Sequence, residues 1–110
     1  MAQTRSTIRQ FDVVANPLRA QRADKPYLVC IQHGLLGHLS SRIVAPLVTS
    51  QIIREPSRLH PSIAVGAAKL FFDPTDLLTL PIRLLKAPVA NVEGERDRIV
   101  AALDLVFTGI

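Results

Sequence analysis

A chain of 110 residues has room for a single core, and at 48% hydrophobic residues it can fold without a disulfide or metal staple. Cys30 is the one cysteine, which excludes an intrachain disulfide and fits a reducing compartment. The net charge of +4 is scattered along the chain and aromatic residues make up only 5%, so there is neither a basic block nor a stacking platform for nucleic acid; an acidic protein partner explains the same charge.

In chain order, MAQTRSTIRQ lacks an apolar stretch of secretory length, and no uncharged apolar run approaches the roughly 20 residues of a membrane span, so a cytoplasmic chain without membrane contact is expected. Residues 1–8 read as a flexible basic arm on one domain spanning 1–110. PYLVCIQ, Pro26 to Gln32, places Tyr27, Val29 and Ile31 on one face and Leu28, Cys30 and Gln32 on the other. Both faces are largely apolar, which predicts a central strand. RIVAPLV, Arg42 to Val48, is a second strand in which Pro46 cannot donate a ladder hydrogen bond, so that point should be an edge or a bulge. LVTSQIIRE, from Leu47 to Glu55, fits either a strand end or one helical turn.

SIAV and KLFF flank Gly66-Ala67-Ala68 as a hairpin, DPTD from Asp73 to Asp76 has turn chemistry, and LLTLPIRLL forms a further strand broken by Pro81. Eight prolines spread over short apolar runs argue for a small barrel. The last segment changes period. Asn91 is an N-cap candidate, with Glu93 and Glu95 in the first turn where the helix dipole favours acids. Ile99, Leu103, Val106 and Ile110 then recur at helical spacing with Val100 and Phe107 beside them, opposite a stripe of Glu93, Asp97, Ala101, Asp104 and Thr108. The expected fold is therefore mainly β with one C-terminal α-helix of about four turns. Val106 and Phe107 should pack on the core, leaving Gly109 and Ile110 beyond the helix proper.

Chemical signals are sparse. His33 and His38 flank GLLG and His60 precedes Pro61, but no third ligand stands at metal-site spacing. No nucleophile elbow, phosphate loop or paired-cysteine motif occurs. Asp73 and Asp76 read as turn formers. Leu35 and Leu36, between two glycines in a polar loop, are either a contact surface or a lid folded on the core.

Taken together, QFDVVAN, PYLVCIQ, HGLLGHLSSRIVAPL, LHPSIAVG and DRIVAALDLVFTGI resemble, in order and spacing, the CcdB family, whose members carry an L-Y-P-x-x-x-x-G segment and an F-W-G-I terminus. The match runs from Gln10 to Ile110. The resemblance implies an SH3-like antiparallel β-barrel with a C-terminal helix, a homodimer, and the toxin of a type II toxin–antitoxin module. It implies no enzyme activity, no cofactor and no metal. In the family the last three residues dock on the DNA gyrase A subunit and hold gyrase on cleaved DNA. Carried over, the gyrase-binding residues would be Thr108, Gly109 and Ile110, with Asp104 one turn earlier, Leu35 and Leu36 in the loop, and Gln10, Phe11 and Val14 on the first strand. The implied partner is an acidic, CcdA-like antitoxin, through which alone the pair would contact operator DNA and repress its own operon. Thr108 stands where the family has a target-contacting tryptophan, and the chain has no tryptophan. An mRNA-cleaving ribonuclease on the same barrel, or a non-toxic antitoxin-binding relative, are the alternatives.

Overall fold

The computed structural model describes residues 7–110. Seven strands, β1 (Asp12–Ala15), β2 (Tyr27–Cys30), β3 (Ser41–Val48), β4 (Ser62–Val65), β5 (Ala68–Phe72), β6 (Leu78–Pro81) and β7 (Ala90–Asn91), precede one helix, α1 (Arg96–Thr108). All pairings are antiparallel, in the order β4-β5-β3-β2-β1-β7, and β6 joins the N-terminal half of β3. The sheet curls into a nearly closed SH3-like barrel. α1 follows directly from the β7 edge and is tied to the β4 edge by Arg98, whose Nη2 donates to the Ser62 carbonyl at 2.7 Å.

The two apolar faces of β2 explain why it is central. Val29, with Tyr27 and Ile31 beside it, joins Phe11, Val13, Leu47, Phe72 and Ile99 in the barrel core, where α1 packs. Leu28 and Cys30 join Ile8, Val14, Val44, Leu80 and Leu85 in a second cluster on the other face. Ile8 is thus part of the packed chain. The basic arm expected over 1–8 falls otherwise on residues outside the described ones, apart from exposed Thr7.

Pro46 lies in an interior strand rather than at an edge. Ile31 N donates to Ile43 O at 3.0 Å, so odd-numbered residues of β3 face β2 and Pro46 turns its nitrogen the other way. There β3 changes partner from β6 to β5, and the Pro46 carbonyl accepts from Asp73 N at 3.0 Å. A missing donor costs least at such a gap. The hairpin loop is Gly66-Ala67, with the positive φ of 59° at glycine, where no Cβ opposes it. After β3, Ile52 N and Ile53 N both donate to Thr49 O, so LVTSQIIRE is a strand end followed by one helical turn. Asp73 caps its own turn by accepting from Thr75 N at 3.1 Å.

The helix begins later than its cap residue suggested. Asn91 ends β7, and its Oδ1 accepts from Glu93 N at 2.9 Å, capping a 3-10 turn at Glu93–Glu95 that leads into α1. Of the apolar stripe, Ile99 is fully buried with Ala102, and Leu103 is half-buried against the same cluster. Val106 and Phe107 are exposed, contrary to the core packing expected of them. Burial along α1 therefore declines toward its end: Leu103 and Leu105 are half-buried and Phe107 is exposed.

Candidate functional site

Two apolar features stand out from the surface. The first is the end of α1, where Phe107 is 67% and Ile110 79% exposed, with Val106 less so. Gly109 closes the helix in the left-handed conformation, φ 76°, its N–H donating to the Asp104 and Leu105 carbonyls at 3.1 Å. This C-cap is the position where glycine avoids the Cβ penalty. It turns Ile110 out of the helical path. Asp104 is exposed one turn back. Thr108 is exposed too, but its hydroxyl donates to the Asp104 carbonyl at 2.7 Å, so its polar group is engaged within the helix.

The second feature is the loop after β2. Leu35 is 81% exposed, and Leu36 and Leu39 are exposed to a lesser degree, so the segment is a surface and not a lid. Its shape is set from below. The Gln32 side chain donates to Leu36 O at 2.9 Å and accepts from Ile43 N at 3.0 Å. His33 Nδ1 accepts from Leu35 N at 3.0 Å and starts a 3-10 turn at Gly34–Leu36. Arg42 is only 2% exposed, and among the described residues no carboxylate lies within ion-pair distance of it. It donates to four carbonyls instead: Ile8 (3.0 Å), Leu39 (2.8 Å), Ser41 (2.9 Å) and Gly37 (3.0 Å). A buried guanidinium is tolerable because its fork of donors is nearly all used. Arg42 and Gln32 were not singled out from the sequence. The available signal was parity, since Arg42 lies on the same inward face of β3 as Val44.

The first-strand residues divide. Gln10 is half-exposed and donates from Nε2 to Ile31 O at 3.2 Å, at the root of the loop. Phe11 and Val14 are buried, Phe11 in the barrel core and Val14 in the second cluster, so neither side chain is available to a partner. The reason is topological: β1 lies between β2 and β7, with apolar clusters on both its faces. Phe11 holds a φ of 69°, a region costly for a side-chain-bearing residue, and is kept there by burial and by backbone bonds to Cys30 and Val92. The Arg96 guanidinium lies 5.7 Å from its ring centroid. Among the described residues no hydrogen bond or ion pair joins the loop to the helix tip.

Three ion pairs form among the described residues, and two of them share one turn. Lys25 Nζ meets Asp76 Oδ2 at 2.6 Å, and His60 Nε2 lies 3.5 Å from Asp73 Oδ1, so one turn collects both pairs. No three His, Cys, Asp or Glu side chains among the described residues are grouped to hold a metal ion. Burial pushes the Cys30 thiol above its ordinary value, with the Gln32 backbone and Arg42 pulling weakly the other way. No helix of the described residues is long and apolar enough to cross a membrane.

Solved structures share this architecture, two mycobacterial ones among them. An endoribonuclease in complex with its cognate antitoxin, from a mycobacterial species, superposes with a TM-score of 0.72 at 13% identity, covering 90% of this chain and 93% of that one. A mycobacterial endoribonuclease gives a TM-score of 0.72 at 11% identity, covering 96% and 95%. No curated protein sequence matches. The fold is that of the small barrel toxins of toxin–antitoxin pairs. Within that class the family model described as CcdB protein matches residues 10–109, and the chain belongs to the CcdB family.

Proposed function

We propose that the chain is a toxin that docks the end of α1 on the DNA gyrase A subunit, holds gyrase on cleaved DNA, and is neutralised by an acidic, CcdA-like antitoxin. The observation that carries this reading is the helix end itself: Phe107 and Ile110, both large and apolar, are mostly exposed there. Buried at the centre of an interface, such apolar anchors contribute about 2 kcal/mol or more each. In this reading the toxin performs no chemistry of its own, acts as a cytoplasmic homodimer, and with its antitoxin represses its own operon.

Threonine at 108 changes how the tip would dock. Its hydroxyl is turned back to the helix, so no stacking surface comes from that position. Phe107, one residue earlier and about 100° around the helix, offers an aromatic face instead. Leu35 and Leu36, on their braced loop, are the second contact.

A ribonuclease reading has its own support. Both solved neighbours are endoribonucleases. The Asp73–Asp76 turn also gathers a base, two acids and a cation in the His60–Asp73 and Lys25–Asp76 pairs. Asp73 is also engaged within its own turn, accepting from Thr75 N and Oγ1, and Lys25 is held by Asp76, which favours the docking reading.

The deciding experiment measures binding of the parent, a chain lacking Gly109 and Ile110, and Thr108→Trp to a gyrase A fragment, beside an assay of messenger RNA cleavage. The docking reading expects the deletion to bind at least 30-fold more weakly and Thr108→Trp more tightly, with RNA intact. A deletion that binds like the parent would remove the tip as the docking site. RNA cut by the parent and not by His60→Ala would put the ribonuclease reading first. Absence of binding and of cleavage, in chains that melt cooperatively, would leave a non-toxic antitoxin-binding relative.

A further inference from the structure

A cavity of about 160 Å³ opens at the root of the loop after β2, where that loop meets the chain entering β1. Ile8 and Arg9 line it from the entering chain, His33, Gly34 and Gly37 from the loop, and Arg42 from β3. Arg42 is the buried cation of that wall. Its four carbonyl partners take the Nε hydrogen, both Nη1 hydrogens and one on Nη2. Of its five N–H groups, one on Nη2 therefore has no protein partner among the described residues. Carbonyls carry no net charge, so the cation stays out of water and without a counter-ion among those residues. Withdrawing an unpaired charge from water is costly, and an anion beside it offsets that cost.

The charge of the lining has one sign. Arg9 has no acid partner for its side chain among the described residues. His33 Nδ1 accepts from Leu35 N at 3.0 Å, so the neutral ring carries its proton on Nε2, and that edge is a donor. No carboxylate belongs to the lining, and the sequence holds no Asp or Glu between Asp24 and Glu55. Asp12, just after Arg9 in the chain, lies outside the lining and has both oxygens committed: Oδ2 accepts from Arg9 N at 2.7 Å and Oδ1 from Asn91 Nδ2 at 2.9 Å. The loop wall is held by Gln32 and Arg42, which donate to Leu36 O and Gly37 O, so a ligand is spared the cost of ordering it. Size narrows the ligand further. Sites for drug-sized molecules run to about 300–1,000 Å³, so this one suits a small ion. Its donors come from three chain segments, which matches the several oxygens of a tetrahedral anion better than the two of a carboxylate.

We infer that this cavity binds a free tetrahedral oxyanion of the phosphate class, held by the guanidiniums of Arg42 and Arg9 and by the Nε2–H of His33. Arg42 supplies the buried charge and its remaining Nη2 hydrogen, and Arg9 and His33 supply the outer contacts. Guanidinium geometry matches phosphate oxygens. The bound ion links the chain before β1 to the loop that carries Leu35 and Leu36, and so stiffens that exposed apolar surface. The assignment does not depend on which target the toxin takes.

The test titrates the full ¹⁵N-labelled chain, in buffer free of phosphate and sulfate, with inorganic phosphate, with chloride at matched ionic strength, and with thymidine 5′-monophosphate. Phosphate should shift the amides of Arg9, His33, Gly34 and Gly37 saturably, and chloride should not. A Cβ at Gly34 meets no atom within 4 Å, so a side chain fits there. Gly34→Asp should weaken phosphate about tenfold or more, whereas Gly34→Asn, alike in shape but uncharged, should hold it. Arg9→Ala, at an exposed position, should also weaken it about tenfold. These variants spare Arg42, whose removal would loosen the loop itself. Phosphate should raise the melting temperature of the parent more than that of Gly34→Asp. Equal rises would be the general stabilising effect of the salt and overturn the site, as would shifts centred elsewhere or an affinity unmoved by Arg9→Ala and Gly34→Asp. Thymidine monophosphate bound at the same amides no more tightly than phosphate supports the free ion. Binding about tenfold tighter overturns it and gives the site to a nucleotide's phosphate.

Discussion

Helix α1 has a buried part and a projecting part, and a pair of substitutions separates them. Ile99 is fully buried in the barrel core with Phe11, Val29 and Val92. Ile99→Ala removes most of that side chain and leaves a cavity, a loss of about 2–5 kcal/mol. Phe107 is 67% exposed and so buries about a third of its surface. Full burial of such a ring is worth about 1.5–3 kcal/mol, so Phe107→Ala should cost about 0.5–1 kcal/mol. At roughly 4–8 °C per kcal/mol for a domain near this size, Ile99→Ala should melt about 8–40 °C lower and Phe107→Ala no more than about 8 °C lower. Target binding should reverse the order of importance: Phe107→Ala should lose about 30-fold in affinity, the equivalent of 2 kcal/mol. The assays are calorimetric melting of both variants and binding of Phe107→Ala to a gyrase A fragment. A melting loss for Phe107→Ala equal to that of Ile99→Ala would show the ring packed in solution and refute the projecting tip. An unchanged affinity would refute its role as a contact.

Arg42→Met should destabilise by about 2–5 kcal/mol, because the carbonyls of Ile8, Gly37, Leu39 and Ser41 lose a buried donor, and Arg42→Lys, with three donors, should recover only part; urea midpoints and amide exchange over residues 34–39 read both effects. The raised Cys30 pKa means the unfolded chain releases the thiol proton first on the alkaline side, so that contribution to stability is full below the ordinary value near 9.0 and falls as pH rises through the raised one; Cys30→Ala should show a shallower alkaline loss in pH-dependent unfolding. Antitoxin affinity should decline as salt is raised from low to high ionic strength, because part of the attraction is between surface charges, and calorimetric titrations indifferent to salt would remove charge as the cause.

Much of the architecture was legible in order along the chain. The doubly apolar PYLVCIQ became the central strand because alternation assigns residues to faces, and both faces of β2 meet apolar clusters. The glycine at 66, the DPTD turn and the change of period after Asn91 marked the hairpin, the corner and the helix by local rules that need no distant partner. Family membership, too, was readable from the order of segments such as HGLLGHLSSRIVAPL and DLVFTGI. Other features depended on distance through space. Periodicity shows which helix residues share a face, but not where the barrel ends beneath them, so Val106 and Phe107 looked like core and lie in solvent. Phe11 and Val14, carried over as target contacts, are buried, because side chains from distant strands and from α1 pack on both faces of β1. Arg42 is held by carbonyls of Ile8 and Gly37, and the cavity it lines forms where residues 7–10 meet the loop after β2. Local periodicity encodes short-range geometry, whereas burial depends on which distant segments pack against a residue, and only the closed barrel brings those segments together.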